Sequence, residues 1–172
     1  FTSLPRPQDV ADVVLGEGGV LSGAVGGTTF FDLSTTDPDT IQRISEASLD
    51  LGLNVLDAPV SGGTIGAEQA TLCIMVGGDQ LLYERYKPIL DLMGNQVVYC
   101  GNLGSGAICK IVNNLIGMTL GVVLSEAFSI GVKAGVDPMT LYKAISMSSG
   151  ETRQMHTFPN TLFEGNFKPG FK

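Results

Sequence analysis

Along the first hundred residues the apolar positions switch between two spacings. Short unbroken apolar runs stand at Phe30-Phe31, Asn54-Val55-Leu56, Leu72-Cys73-Ile74-Met75-Val76 and Val97-Val98-Tyr99, and several give way to Asp, Ser or Gly, as strands do when they feed loops. Phe1-Thr2-Ser3-Leu4 reads the same way. Between these runs the apolar residues recur at helical spacing. They do so briefly over residues 8–15, then over 39–51 at Ile41, Ile44, Ala47, Leu49 and Leu51, and over 80–93 at Leu81, Leu82, Tyr86, Ile89 and Leu90. Asp37 ahead of Pro38 predicts a capped helix start, and Gly52 its stop. Strands alternating with helices predict an α/β fold, a mostly parallel sheet with helices on its faces.

After Gly106 the pattern becomes continuous. A helix over residues 105–134 is apolar around most of its circumference, which predicts burial on most sides. Gly135-Val136-Asp137-Pro138 breaks it, Asp137 caps a second helix running to Met147, and Gly150 ends that one. Residues 159–172, rich in Phe, Gly and Pro, have no readable period. The expected organisation is an α/β part over 1–104 and an all-α part over 105–172, entered through the long helix. Between Lys110 and Lys133 the only charge is Glu126, so the run is long enough to cross a bilayer. Asn113, Asn114, Ser125, Glu126 and Ser129 are too polar a set for a lipid-facing helix, and a buried helix of a soluble protein is expected instead.

Composition narrows the classes. Hydrophobic residues make up 44% of the 172, enough for a sizeable core and too many for disorder. Seventeen acids against ten bases leave a net charge of −7, which argues against nucleic acid and anionic membranes as partners, since both select basic surfaces. Cys73, Cys100 and Cys109 are odd in number and lack CxxC spacing, so reduced, buried thiols of a cytoplasmic-type compartment are expected. With the single His156 they make no metal site. The chain opens on Phe1 without Met and stops at Phe171-Lys172, ends that suit a piece of a longer protein.

Candidate chemistry lies in the loops after the strands, where open α/β sheets bind ligands. These are Leu4-Pro5-Arg6-Pro7, the loop from Asp32 to Pro38, and Asp57-Ala58-Pro59-Val60-Ser61-Gly62-Gly63. In the third, Ser61 offers a hydroxyl while Gly62 and Gly63 open backbone N–H groups to a carboxylate; a tight turn explains the same residues. Gly104-Ser105-Gly106-Ala107-Ile108-Cys109 nearly spells G-x-G-x-x-G, but Cys109 takes the third glycine position, and it is read as a lookalike. Gly106, Lys110 and Asn114 fall on one face of one helix. Lys110, a lone cation on an apolar helix, must reach water, an acid or a ligand. Desolvation would suit it to acid–base work; a snorkelling or salt-bridged lysine at the domain seam fits the spacing equally.

DAPVSGG at 57–63, IMVGGD at 74–79 and GxxxKxxNN from Gly106 to Asn114, taken in this order, resemble the β-hydroxyacid dehydrogenase family. The family includes 3-hydroxyisobutyrate dehydrogenase and tartronate semialdehyde reductase. Asn113-Asn114 and Met147-Ser148-Ser149-Gly150 look more like the first, Thr64-Ile65-Gly66-Ala67 more like the second. The resemblance covers essentially the whole chain. It implies the C-terminal portion of a Rossmann-type sheet followed by part of a helical domain for substrate and dimerisation. It implies NAD or NADP as cofactor and a small hydroxy acid or semialdehyde as substrate. Lys110 would be the general acid/base, Asn113 and Asn114 would position substrate, Ser61, Gly62 and Gly63 would hold its carboxylate, and Leu4, Pro5, Asp9 and Thr35 would contact the dinucleotide, Asp9 standing where the family often has Asn. A homo-oligomer in the cytoplasm, or in the mitochondrial matrix of a eukaryote, is expected. Family members also carry an upstream GxGxxG unit and a downstream helix with a Lys-Asp pair. Without these the chain alone is expected to bind dinucleotide weakly, to be inactive and to self-associate. A 6-phosphogluconate-dehydrogenase-like enzyme, which should show a basic phosphate pocket, and a non-catalytic assembly module on the same fold are the competing readings.

Overall fold

In a computed structural model of the chain, residues 1–168 are described. They form two compact units, divided between Asn113 and Asn114. The first is built on five strands: β1 (Thr29–Asp32), β2 (Asn54–Asp57), β3 (Val60–Ser61), β4 (Cys73–Gly77) and β5 (Gln96–Gly101). β1 lies parallel to β2 and β4 parallel to β5, whereas β2 and β3 meet β4 through short antiparallel pairings.

The unbroken apolar runs have a direct cause: this sheet is covered on both faces. Phe30 and Val55 point into a core with Val10, Val14, Ile41 and Ile44, supplied by α1 (Pro7–Leu15) and α3 (Pro38–Leu49). Their neighbours Phe31 and Leu56 point the other way, into a core with Ile74, Val76 and Leu90, closed by α5 (Gln80–Leu90). Successive strand residues thus feed opposite layers. Asp37 caps α3 as expected, accepting from the Thr40 N–H at 2.8 Å, and Asp79 does the same for α5 through Leu82 at 2.9 Å.

Several expectations are corrected. Phe1 to Leu4 is not a strand of its own but a single parallel bridge, Thr2 to Asp32, because Pro5 lacks an N–H and the Leu4 N–H goes to Ser34 Oγ at 2.9 Å. The loop after β2 contains β3, and residues 64–67 belong to a short helix, α4 (Gly63–Glu68); α2 (Val20–Gly23) is one further turn without a sequence signal.

The long helix is α6 (Ser105–Lys133), and α7 (Pro138–Ser146) follows under the Asp137 cap. The second unit closes on Leu124, Phe128, Met155 and Phe158, the last two from a 3-10 helix (Arg153–Asn160) in the stretch that lacked a period. Of that stretch, residues 169–172 lie outside the description. The burial expected for α6 is not found. Ile108, Leu115, Ile116, Met118, Val122 and Ile130 are among its many exposed apolar side chains. A helix apolar all round is covered only where something packs on it, and the described residues bury Gly106, Ala107, Lys110, Leu124 and Phe128. It is long and apolar enough to cross a membrane by length and composition, with a hydropathy of 1.8 over its most apolar window.

Candidate active site

Two buried aspartates organise the carboxyl ends of β1 and β2. They are register partners, Asp32 beside Asp57, and each is 1% exposed. Asp32 accepts from Thr2 Oγ1 at 2.9 Å, from the Ser34 N–H at 3.0 Å and from Thr36 Oγ1. Ser34 in turn takes the Leu4 N–H. The segment holding Leu4 and Pro5 and the loop holding Thr35 are thereby knitted together, with Pro5 and Thr35 exposed at the strand ends. Asp9 stands apart on α1. Arg6 grips its carboxylate at 2.6 Å, and that guanidinium holds the carboxyl below its ordinary range.

Asp57 works differently. Its Oδ1 accepts the Gly104 N–H at 2.8 Å and its Oδ2 the Ala107 N–H at 2.7 Å, which anchors the start of α6. Burial pushes this carboxyl up, against the downward pull of those backbone donors. One turn further, Lys110 is only 9% exposed, and none of the ion pairs among the described residues includes it. Loss of hydration pulls its ammonium below the ordinary lysine value.

Cys73 faces Ser61 across the β3–β4 pairing. Beyond Ser61, Gly62 and Gly63 both adopt left-handed φ, +137° and +64°, conformations that require glycine. Of the third expected strand-end loop, its first residue, Asp57, bonds to the start of the helix bearing Lys110. Asn113 is exposed and Asn114 half-buried further along α6. The thiols are less buried than expected: Cys73 and Cys100 are intermediate and Cys109 exposed. Burial still pushes the Cys100 thiol up to about 12, so it stays protonated.

Sequence reasoning missed the two aspartates as organisers. The available signal was an Asp closing two successive apolar strands, a costly place for a carboxylate unless donors converge on it.

A two-faced α/β sheet with its polar groups gathered at the strand ends, running into a long helix, defines a Rossmann-like nucleotide-binding class of fold. Residues 1–101 match the family described as the NAD binding domain of 6-phosphogluconate dehydrogenase. Residues 104–172 match that described as NAD-binding of NADP-dependent 3-hydroxyisobutyrate dehydrogenase. The chain belongs to this NAD-binding, β-hydroxyacid dehydrogenase-like family. It is 39% identical to 2-(hydroxymethyl)glutarate dehydrogenase of Eubacterium barkeri, over 99% of the chain and 57% of that protein. It is 36% identical to 2-hydroxy-3-oxopropionate reductase of Escherichia coli, over 100% of the chain and 59% of that protein. A solved 3-hydroxyisobutyrate dehydrogenase of Mycobacterium tuberculosis with L-serine superposes with a TM-score of 0.86 at 33% identity, covering 99% of this chain and 60% of that one. The chain thus spans under two thirds of the length of these relatives.

Proposed function

We propose that the chain carries the proton-handling and carboxylate-binding part of an NAD(P)-dependent oxidoreductase acting on a small β-hydroxy acid or semialdehyde. The observation that carries this reading is Lys110: a buried amine, outside every ion pair among the described residues, three residues after the Ala107 N–H that Asp57 accepts. A lysine kept from water loses its proton more readily, so it serves as acceptor for the substrate hydroxyl proton and as donor to the carbonyl oxygen in the reverse direction. Its charge also stabilises negative charge developing at that oxygen. Ser61, Gly62 and Gly63 hold the substrate carboxylate, supported by a half-buried hydroxyl and by two glycines whose backbone a ligand can approach. Asn113 and Asn114 orient the substrate from the same helix.

A bound nicotinamide dinucleotide supplies the hydride donor or acceptor. Leu4, Pro5 and Thr35 fit its placement, since the Asp32 network holds both of their loops at the strand ends. Asp9, already paired with Arg6, is the least available of the four. No G-x-G-x-x-G follows a strand in this sequence, and the lookalike at Gly104 has two of its N–H groups taken by Asp57, so this chain by itself holds dinucleotide weakly. Residues 1–104 serve the dinucleotide and 105–172 the substrate and self-association, the latter supported by the exposed apolar residues of α6. Three free thiols suit a reducing compartment, the cytoplasm or, in a eukaryote, the mitochondrial matrix. The likeness of residues 104–172 to the 3-hydroxyisobutyrate type favours that substrate class over a sugar phosphate.

The test is Lys110→Ala in the full-length enzyme, assayed with 3-hydroxyisobutyrate-type acids. The expected result is a kcat lower by about 10²- to 10⁴-fold with dinucleotide KM unchanged. Undiminished turnover overturns the reading.

A further inference from the structure

We infer that Asp57 is a positioning residue for Lys110, aiming it through the first turn of α6. This rests on the reading of Lys110 as the group that moves the proton. The first turn of a helix carries N–H groups with no partner inside the helix, and a local side chain normally caps them. Here the residue preceding α6 is Gly104, in a left-handed conformation at φ +88° and with no side chain to offer. The cap comes instead from β2, nearly fifty residues away, as one carboxylate across two N–H groups three residues apart.

Two bonds at different heights on the helix restrain both its advance and its roll; a single bond leaves the roll free. Ala107 precedes Lys110 by three residues, so one of the two clamped N–H groups lies on the Lys110 face. A roll of only about 10° sweeps an amine ~8 Å from the helix axis by more than ~1 Å. A displacement of that size costs about 100-fold where a proton must move in line.

The backbone is arranged around this carboxylate. A Cβ on Gly106 would lie 2.8 Å from Asp57 Oδ2 and collide with the Met75 carbonyl. A Cβ on Gly77, the β4 residue that pairs with Asp57, would collide with Oδ1 and lie 2.8 Å from the Gly106 nitrogen. No ion pair among the described residues joins Asp57 to Lys110. The carboxylate acts through the backbone.

The experiment is Asp57→Asn in the full-length enzyme, alone and combined with Lys110→Ala. Asparagine keeps the size but turns an NH₂ toward one of the two N–H groups, so one bond is lost. We expect kcat to fall about 10- to 100-fold with dinucleotide KM unmoved. On top of Lys110→Ala, the same substitution should cost nothing further. A folded Asp57→Asn enzyme with unchanged kcat, or one whose loss persists undiminished without Lys110, overturns the inference and leaves the Lys110 reading intact. Unchanged turnover in Lys110→Ala alone sinks that reading and this inference with it. Should Asp57→Asn not fold, Asp57→Ser withdraws the carboxylate from both donors without adding bulk, and a fall in kcat at least as large is expected.

Discussion

Asp32 and Asp57 end neighbouring parallel strands, in register and equally buried, yet they do different work. Around Asp32 two of the three donors are hydroxyls, from Thr2 and Thr36, and the groups it joins are loops. Around Asp57 the donors are backbone N–H groups, of Gly104 and Ala107, at the start of a helix that begins far along the chain. A loop restrained by hydroxyls can rearrange at modest cost, because hydroxyls rotate and find new partners. A helical turn moves as a unit, so a carboxylate at the start of a helix sets the direction of the side chains on the turns next to it. The same residue type, at the same depth, thus stabilises a surface in one place and aims a side chain in the other.

The largest effect should come from the junction that only the second aspartate has. Gly106→Ala sets a Cβ against the Met75 carbonyl and Asp57, and the first turn of α6 must leave the sheet. We expect a loss of about 3 kcal/mol or more, read as a lower urea midpoint. An unaltered midpoint would remove the close approach from the comparison. Asp32→Asn should cost less, about 2 kcal/mol, since one or two of its three donors lose their acceptor. Its functional signature should be opposite to that of Asp57→Asn: a dinucleotide KM raised roughly 3- to 10-fold, about 1 kcal/mol, with kcat held. Equal effects of the two aspartate variants on kcat would erase the distinction.

The smallest effect is one of sign. Burial makes the Lys110 ammonium less favourable in the fold than in the unfolded chain, so its folded pKa lies below its unfolded one. Below the folded value the penalty is complete. Between the two values the unfolded chain binds more protons, and stability rises with pH. Lys110→Met should therefore raise the melting temperature at neutral pH, and the gain should shrink as pH climbs toward the ordinary lysine range. A gain independent of pH would mean that packing, not charge, is what the substitution changed.

Much of the fold was legible because the relevant signals are local. Asp37, Asp137 and Gly52 mark helix ends through chemistry within a few residues, and the run at Leu72–Val76 announces a strand covered on both faces. The misses were those where distant neighbours decide. Phe1 to Leu4 has strand composition but makes one bridge, because Pro5 and the Ser34 hydroxyl redirect it. Ser61 looked like part of a loop, and its two-residue strand exists only because β4 lies opposite. Along α6 the apolar circumference was plain, but whether anything covers it is a property of neighbours, and most of it is bare among the described residues.

The amino-acid sequence alone determined the order of elements, the loops that could hold a ligand and the lone lysine on an apolar helix, since each depends on spacing and side-chain chemistry. Only the tertiary structure decided that Lys110 is buried and that Asp57 takes N–H groups of the glycine-rich lookalike at Gly104. Hydration is lost and hydrogen bonds are matched between residues tens of positions apart, and that pairing is set by packing in three dimensions rather than by any local pattern.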